Sequence, residues 1–241
     1  MEGLALQVEA WAKRGKAELT MAYLAHQRPV FECPTQNIVL AKGRQVGGTI
    51  GALIWLLPRA IKGAPCLWVD VGYRQIMRYY TRYIRRMLKK LPPKSYAWNQ
   101  QLLQLSFPSG GYIDFGSMEN AEAMEGSNYR FVVINEAGIV LRNEALYYNT
   151  ILPMTMNVAG CRQLIEGTPK GKGLFYKLWC MGQDALEKDW KSFTLDAWQN
   201  PHTDPKVLER FSKRMPPKVY ESEIMGRFID DKGVYFENID G

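Results

Sequence analysis

The sequence has few cysteines and no long hydrophobic run. Its four cysteines lie far apart and form no Cys-x-x-Cys pair, so neither a zinc site nor a disulfide framework is indicated. The longest apolar run, residues 50–57, is much shorter than the roughly 20 residues of a membrane-spanning helix. Glu2 and Glu9 near the amino terminus do not fit a secretion signal. We therefore expect a soluble, unexported protein with reduced thiols and no membrane partner.

Low-complexity segments and internal repeats are also missing from the sequence. Hydrophobic residues make up 46% and charged residues 23% of the chain, which is ordinary for a globular protein and excludes a disordered or fibrous one. A chain of 241 residues is long enough to form one large domain with its own core.

Acidic residues are absent between Asp70 and Asp114, and the net charge of +7 arises there. The basic residues of this stretch are Arg74, Arg78, Arg82, Arg85, Arg86, Lys89, Lys90 and Lys94. They recur at helical spacing with Ile76, Ile84 and Met87 on the other side, which predicts an amphipathic helix with a basic face. Such a face can bind a phosphate backbone or can simply be solvated. We take Arg78, Arg82 and Arg85 as candidate DNA contacts.

The hydrophobic pattern predicts strands that alternate with helices. The predicted strands of a parallel sheet are residues 37–41, 66–69, 131–134 and 163–165. A hairpin is predicted over 102–115, and a helix is predicted to start at Asp204-Pro205. This alternation favours a three-layer α/β domain with a mostly parallel sheet. The predicted division of the chain is a helical lead-in at 1–25, a core at 26–200 and a helical lid or linker at 201–241.

A glycine-rich loop follows the first of these strands and leads into a helix. Its residues are Gly43, Arg44, Gln45, Val46, Gly47 and Gly48, followed by Thr49. The N–H groups of such a loop can bind phosphate, and Thr49 can bind Mg²⁺. The usual phosphate loop has a lysine directly before the threonine, where this chain has Gly48. Lys42 or Arg44 is the candidate for the missing charge, and a purely structural turn is the alternative.

Two polar residues, Asn135 and Glu136, follow the predicted strand at 131–134. Ligands bind at this edge of open α/β sheets. In phosphate-loop enzymes an acidic residue here orients the Mg²⁺ shell, and a following glutamate polarises the attacking water. Glu136 fits the second role, whereas Asn135 fits the first poorly because an amide adds no negative charge. A polar strand end that leads into a turn is the alternative.

A third motif resembles a known protein family. Residues 164–176, which include Gly167-Thr168-Pro169, look like the coupling motif of the large terminase subunits of tailed bacteriophages. Other segments that resemble the family are 43–49, 124–127, 131–137, 200–201, 223–228 and 233–236. The resemblance therefore covers most of the chain.

This resemblance implies an ATP-driven DNA-packaging motor built on the additional-strand, catalytic-glutamate class of phosphate-loop fold. The implied cofactors are ATP and Mg²⁺. The implied partners are double-stranded DNA, the portal protein, the small terminase subunit and other copies of the chain in a ring, and the implied location is the host cytoplasm and transiently the procapsid. Full-length members continue into a nuclease domain, which we expect to be missing here.

The resemblance also assigns roles to individual residues. It places Thr49 and Asn135 at the metal, makes Glu136 the water-activating glutamate and makes Arg142 an arginine finger that acts on a neighbouring subunit. Lys42 is the implied substitute for the missing lysine. The implied nucleotide-binding residues are Gln27, at the adenine, and Gly43, Arg44, Gln45, Val46, Gly47, Gly48, Thr49 and Thr168.

Two other functions stay open at this point. One is a nucleotide-dependent DNA-binding module with little hydrolysis, because both Gly48 and Asn135 depart from the usual motifs. The other is a helicase-like translocase on single strands, which would share the same fold.

Overall fold

The computed structural model describes residues 8–13, 16–119 and 127–230, which alternate between strands and helices. The strands are β1 (Val8–Lys13), β2 (Lys16–Met21), β3 (Asn37–Lys42), β4 (Pro65–Asp70), β5 (Ala97–Asn99), β6 (Gln104–Ser106), β7 (Tyr112–Ser117), β8 (Phe131–Ile134), β9 (Arg162–Gly167) and β10 (Trp190–Leu195). The helices are α1 (Arg28–Phe31), α2 (Gly48–Ile61), α3 (Tyr73–Tyr79), α4 (Arg85–Leu88), α5 (Ala137–Val140), α6 (Pro153–Met156), α7 (Leu174–Met181), α8 (Pro205–Arg214) and α9 (Pro217–Glu223). Two π-helical segments, Tyr80–Ile84 and Leu146–Ile151, and a 3₁₀ turn, Ala197–Gln199, also lie within the described residues.

Eight of the strands form one mixed sheet in the order β10-β3-β9-β8-β4-β7-β6-β5. The six strands from β10 to β7 are parallel, and β5 and β6 are antiparallel to their neighbours. Strand β9 lies between β3, which leads into the glycine loop, and β8. This arrangement confirms the predicted α/β class and the additional strand of the phosphate-loop fold.

Alternate residues of the central strands pack on opposite faces of the sheet. On β3, Ile38 and Leu40 join the hydrophobic cluster formed with α2, whereas Val39 joins the cluster formed with α5 and α7. Trp68 and Val69 of β4 divide between the clusters in the same way. Because both faces are covered, the sheet is buried between two helical layers, and the three-layer prediction is confirmed.

The predicted helical lead-in at 1–25 is wrong for the residues that the structure describes. Strands β1 and β2 pair antiparallel, with Val8 opposite Met21 and Lys13 opposite Lys16. Polar and apolar residues alternate strictly along 16–21, and a period of two is typical of a strand. The helical prediction therefore rests on the wrong period for the apolar residues of this region.

Several other predicted elements are present. The hairpin is formed by β6 and β7, and the side chain of Asp204 caps α8 by accepting a hydrogen bond from the Lys206 N–H at 2.9 Å. The predicted basic helix corresponds to residues 73–88, in which a π-helical segment separates α3 from α4. Strand β10 has no counterpart among the predicted elements. Residues 124–126 of the predicted motif at 124–127, and the whole motif at 233–236, lie outside the described residues.

The basic residues between 74 and 94 all lie on the surface, whereas Ile76, Ile84 and Met87 are buried. The predicted amphipathic character is therefore confirmed. All four cysteines are free thiols, as expected. Within the described parts of the chain, no helix has the length and hydrophobicity to cross a membrane.

Candidate active site

A row of buried polar side chains lies at the carboxyl edge of the parallel strands. Lys42 ends β3, Glu166 lies near the end of β9, Asn135 follows β8 and Asp70 ends β4. Each of the four is less than a tenth exposed, and Glu166, Asn135 and Asp70 are fully buried. Burial of charged groups is costly unless they are paired, so such a cluster at the edge of the sheet indicates a functional site.

Lys42 lies between two carboxylates. Its Nζ is 3.2 Å from Glu166 Oε2 and 3.5 Å from Glu136 Oε1. Burial alone would lower the pKa of Lys42, but the attraction of the two carboxylates outweighs it and raises the pKa above its usual value. Burial raises the pKa of Glu166 to about 7, against the opposing attraction of Lys42. Lys42 therefore stays protonated and is directed into the site.

The packing of Lys42 explains the glycine at position 48. A Cβ on Gly48 would lie 2.5 Å from Lys42 Cδ and 2.7 Å from Glu166 Oε2. These distances are far below van der Waals contact, so a side chain at 48 would displace Lys42. The lysine at the start of the loop thus occupies the space beside the position where the usual motif has its own lysine.

The glycine loop leads into α2, and the first N–H groups of that helix face a possible ligand, whereas the N–H groups of Gly43 and Arg44 already donate to Leu195 O and Glu223 O. Gly47 has a left-handed conformation with φ 79°, and α2 begins directly after it without a side-chain cap. The first N–H groups of a helix have no partner within the helix, so an anion such as a phosphate group fits this end of α2. The predicted strand, glycine loop and helix are therefore present, and binding of phosphate by this loop stays a prediction.

Gln27 supports the glycine loop through hydrogen bonds to its backbone. Its Nε2 donates to Val46 O at 3.1 Å and to Gly47 O at 3.2 Å, and its Oε1 accepts from the Leu24 N–H at 3.1 Å. His26 Nε2 lies 3.0 Å from the same Val46 oxygen. Gln27 is thus placed next to the loop, and its contact with adenine stays a prediction.

Thr49, Asn135 and Asp70 form a hydrogen-bonded chain. Thr49 Oγ1 donates to Asn135 Oδ1 at 3.3 Å, and Asn135 Nδ2 donates to Asp70 Oδ2 at 2.8 Å. Asp70 also accepts from Trp68 Nε1 at 3.0 Å and from the Val71 N–H at 2.8 Å. Burial raises the pKa of Asp70 to about 6, although these hydrogen bonds oppose the shift.

These oxygen donors fit a magnesium ion. Mg²⁺ prefers hydroxyl, amide and carboxylate oxygens together with the phosphates of a substrate, and Thr49 Oγ1 and Asn135 Oδ1 lie side by side next to the phosphate cradle. In 8–13, 16–119 and 127–230, no three His, Cys, Asp or Glu side chains form a metal cluster. A metal here would therefore depend on phosphate oxygens for part of its coordination.

Glu136 lies at the turn between β8 and α5. Its backbone is left-handed, with φ 54°, a conformation uncommon outside glycine that is often found at functional sites. Its side chain is 28% exposed, so water can reach it. A Cβ on Gly138 would lie 2.1 Å from Thr168 O. The turn that carries Glu136 therefore packs directly against the predicted coupling motif.

Arg44 takes a different direction from Lys42. Its guanidinium forms an ion pair with Glu223 of α9, and Lys170 pairs with the same carboxylate. The Arg44 N–H donates to Glu223 O at 2.7 Å, and Asn200 Nδ2 donates to Gln45 O. The segment after β10 thus packs on the outer side of the glycine loop, and Arg44 is paired with Glu223 of that segment.

Arg142 is placed outside the row of buried polar side chains. It follows α5, is exposed, and borders a small cleft of about 30 Å³ together with Lys170 and Leu174. Arg78, Arg82 and Arg85 are exposed on the segment 73–88. The structure therefore gives Arg142 and the three candidate DNA contacts accessible positions, and their roles stay predictions.

A larger cleft of about 450 Å³ lies at the other end of α2. Pro58, Arg59, Tyr23 and Arg162 border it. Since the glycine loop is at the amino end of α2 and this cleft is at the carboxyl end, the two are separate features. Buried charge and not cleft volume marks the candidate active site.

Sequence reasoning missed Glu166 and Asp70. Each directly follows an apolar run, as Asn135 does, with Leu164-Ile165 before Glu166 and Trp68-Val69 before Asp70. The rule that ligands bind at the carboxyl ends of parallel strands applies to all of them. Applied to each predicted strand in turn, that rule would have found both residues.

The comparisons with known proteins agree on one family. The family model described as "Terminase large subunit, T4likevirus-type, N-terminal" matches residues 39–240. The chain is 21% identical over 154 residues to the large terminase subunit of Escherichia phage T5, an alignment that covers 64% of this chain and 35% of that protein. The chain thus spans little more than a third of that relative's length.

Solved structures show the same fold. The large terminase ATPase domain of Thermus phage P74-26 superposes with a TM-score of 0.71 at 18% identity, covering 86% of this chain and 94% of that one. The large terminase of a thermophilic bacteriophage, solved in complex with ADP, gives a TM-score of 0.67 at 15% identity, covering 86% of this chain and 54% of that one.

Proposed function

The chain belongs to the T4likevirus-type terminase large subunit family, whose amino-terminal region it matches over residues 39–240, and on this premise we propose that it hydrolyses ATP to drive double-stranded DNA into a procapsid. The observation that carries the proposal is the convergence of Lys42, Thr49 and Glu136 at the glycine loop. A cation, a hydroxyl and a carboxylate at one phosphate cradle are the groups that phosphoryl transfer to water requires.

Nucleotide binding begins with the loop. The N–H groups at the start of α2 donate to phosphate oxygens, and Lys42 adds its charge to the β- and γ-phosphates. Lys42 is already oriented by Glu166 and Glu136, so little ordering is needed when the phosphates arrive. The same thermophilic-phage large terminase has been solved with ADP and with ATP-gamma-S, which supports ATP as the ligand here.

Thr49 and Asn135 would hold the magnesium ion, which when bound neutralises charge on the phosphate oxygens. Glu136 then acts as general base. Water attacks the γ-phosphorus, its proton passes to the Glu136 carboxylate, and the bond from the γ-phosphorus to the bridging oxygen breaks to release ADP and phosphate. The 3.5 Å separation of Lys42 Nζ and Glu136 Oε1 keeps this carboxylate beside the phosphate site.

Coupling to movement follows from the close contact of Gly138 with Thr168 O. A change at Glu136 on hydrolysis is transmitted directly to Thr168 and on to Lys170, which is paired with Glu223 of α9. We propose that this route links the γ-phosphate to the segment that covers the loop.

The remaining parts of the proposal concern the assembly. Double-stranded DNA, the portal protein, the small terminase subunit and a ring of like chains are the proposed partners, in the host cytoplasm and on the procapsid. Family membership supports them.

The test is phosphate release with and without duplex DNA, for the parent and for Glu136→Gln. We expect DNA-stimulated release by the parent and at least a ~100-fold loss in the variant, because an amide cannot accept the proton. Nucleotide affinity should change by less than about threefold, since the shape is kept. Glu144→Gln, at a partly exposed glutamate paired with Lys177, is the matched control.

Three outcomes would contradict the proposal in different ways. Turnover of Glu136→Gln within about threefold of the parent removes Glu136 from catalysis. Nucleotide binding without release by the parent favours the binding module. Stimulation by single strands and not by duplex favours the helicase-like translocase.

A further inference from the structure

The amide at position 135 is in direct contact with a buried carboxylate. Asn135 Nδ2 donates to Asp70 Oδ2 at 2.8 Å, and both side chains are fully buried. Asp70 ends β4 and Asn135 follows β8, and these strands are neighbours in the sheet. Asp70 therefore supplies the negative charge that the Asn135 amide lacks, from a position one side chain further from the glycine loop.

Asp70 also determines which way the amide points. A carboxylate accepts hydrogen bonds and cannot donate them when ionised, so it binds the NH₂ group of Asn135. The oxygen of Asn135 then faces Thr49, whose Oγ1 is 3.3 Å away. Trp68 Nε1 and the Val71 N–H donate hydrogen bonds to Asp70 in turn. Residues at the end of β4 therefore fix Asp70, and through it the orientation of the Asn135 amide.

We propose that Asp70 and Asn135 act as one unit in which Asp70 carries the negative charge and Asn135 presents the oxygen to the metal. Asp70 is thus a positioning residue, and the inference rests on the proposed function. A carboxylate that accepts from an amide NH₂ polarises the amide and increases the negative charge on its oxygen. Partners of metal ligands commonly contribute about 10- to 100-fold to metal affinity.

The unit predicts an unusual response to Asn135→Asp. With Asp70 unchanged, that variant places two carboxylates within about 3 Å of each other in a buried site, where like charges repel. Exchanging the pair, in Asp70→Asn/Asn135→Asp, restores one carboxylate and one amide in the same contact and removes the repulsion. The recovery is only partial because Trp68 Nε1 donates to the same oxygen of Asp70 and loses that acceptor. If Asn135→Asp only restored the aspartate of the usual motif, the protein would tolerate it without any change at Asp70.

The first measurement is thermal unfolding of the full chain without nucleotide or metal. We expect Asn135→Asp to lower the unfolding midpoint by at least about 4 °C and the exchanged pair to recover more than half of that loss. Asp114→Asn is the matched control, because Asp114 also accepts two side-chain hydrogen bonds at 2.8 Å, from Gln104 and Tyr129, but lies on β7 away from the loop.

The second measurement is ADP affinity with Mg²⁺ and with EDTA, which separates metal from nucleotide binding. We expect Asp70→Asn to reduce the Mg²⁺-dependent gain in affinity by about tenfold or more, while affinity in EDTA stays within about twofold of the parent. The exchanged pair should recover the gain to within about threefold, and Asp114→Asn should leave it unchanged.

Two results would contradict the proposed Asp70–Asn135 unit. One is an Asp70→Asn variant that keeps the full Mg²⁺-dependent increase in ADP affinity. The other is an exchanged pair that is no better than Asn135→Asp in either measurement. If the parent binds no ADP in either buffer, the proposed function fails together with the metal role of the unit. In that case recovery of the unfolding midpoint by the exchanged pair would show that the contact is structural only. Normal ADP binding with an unaltered Mg²⁺ gain would leave the proposed function intact and reject the unit alone.

Discussion

At the scale of the residue, Lys42 and Arg44 are two positions apart but have different partners. Lys42 is buried against Glu166 and Glu136, and Arg44 is exposed and paired with Glu223. We expect Lys42→Ala to weaken ADP binding by roughly tenfold to 100-fold, about the strength of one or two hydrogen bonds to a charged group. Arg44→Ala should change it by less than about fivefold. Calorimetric titration of both variants checks this.

Because Lys42→Ala leaves Glu166 buried without its cation, the variant can also lose stability. The double variant Lys42→Ala/Glu166→Gln is therefore the control, since it removes both charges. If Arg44→Ala alone weakens binding, the roles of the two residues are reversed.

Asp70 gives a pH dependence of stability. Burial raises its pKa to about 6, above the value in the unfolded chain, so the folded protein favours the protonated form. The stabilisation from this group is complete below about pH 4 and is lost as the pH rises to about 6. The parent should thus lose roughly 3 kcal/mol relative to Asp70→Asn across that window.

Chemical unfolding of the parent and Asp70→Asn at several pH values measures this difference, because the other titrating groups are shared. A constant gap from about pH 4 to pH 7 would show that burial does not control this carboxyl group.

The sequence predicted part of this site and not the rest for identifiable reasons. Thr49 and Glu136 follow from local patterns, a glycine loop before a helix and a polar pair after a strand. The positions of Glu166 and Asp70 follow from the strand-end rule, but their contacts with Lys42 and Asn135 join strands that are distant in sequence, and no local pattern predicts those contacts. The direction of Arg44 depends likewise on α9, far along the chain.

At the scale of the element, the basic segment 73–88 connects a surface to the active site. Arg78, Arg82 and Arg85 are exposed, while Tyr79 OH lies 3.4 Å from Asn135 Nδ2. We expect neutralisation of the three arginines to flatten the salt dependence of duplex binding, by a slope of roughly 0.9 for each lost phosphate contact.

The matched control neutralises Lys188, Lys191 and Lys213, which are also exposed but lie elsewhere, so the net charge change is equal. Binding isotherms at several salt concentrations, on a DNA of unrelated sequence as well, check the slope. Equal slopes for the two triple variants would show that the basic face is only solvated.

The predictable elements are those with a strong local pattern. The strands predicted at 131–134 and 66–69 are apolar throughout and are confirmed, as is the helix capped by Asp204. Residues 8–13 and 16–21 suggest a helix because their apolar residues are frequent, and β10 escapes prediction because polar residues interrupt it. Both errors concern strands, β1 and β2 in one case and β10 in the other, in which the hydrophobic pattern is weak.

At the scale of the whole molecule, the exposed Arg142 predicts a shared active site. An arginine inserted by a neighbour is commonly worth ~10³ or more in the rate of phosphoryl transfer. We expect Arg142→Ala and Glu136→Gln to be inactive alone and to regain turnover when mixed, because one interface of the hybrid then holds both residues.

Steady-state phosphate release from mixtures at several ratios measures this, under conditions where mixed assemblies are shown to form. Lys177→Ala, at another exposed cation, paired with Glu144, is the control for a nonspecific charge effect. Full activity of Arg142→Ala alone would show that Arg142 has no role in catalysis. Mixtures that do not regain turnover would exclude its action on a neighbouring subunit.

The place of β3 in the sheet has a consequence for how the chain is made. Its two neighbours are β9 and β10, which end at residues 167 and 195, whereas β3 ends at residue 42, so the ribosome must add roughly 125 further residues (167 − 42) before that strand can pair. At roughly 5–20 residues per second, the delay is on the order of ten seconds. During this time β3 is an apolar strand without a partner, and unpaired strands of this kind are prone to aggregation.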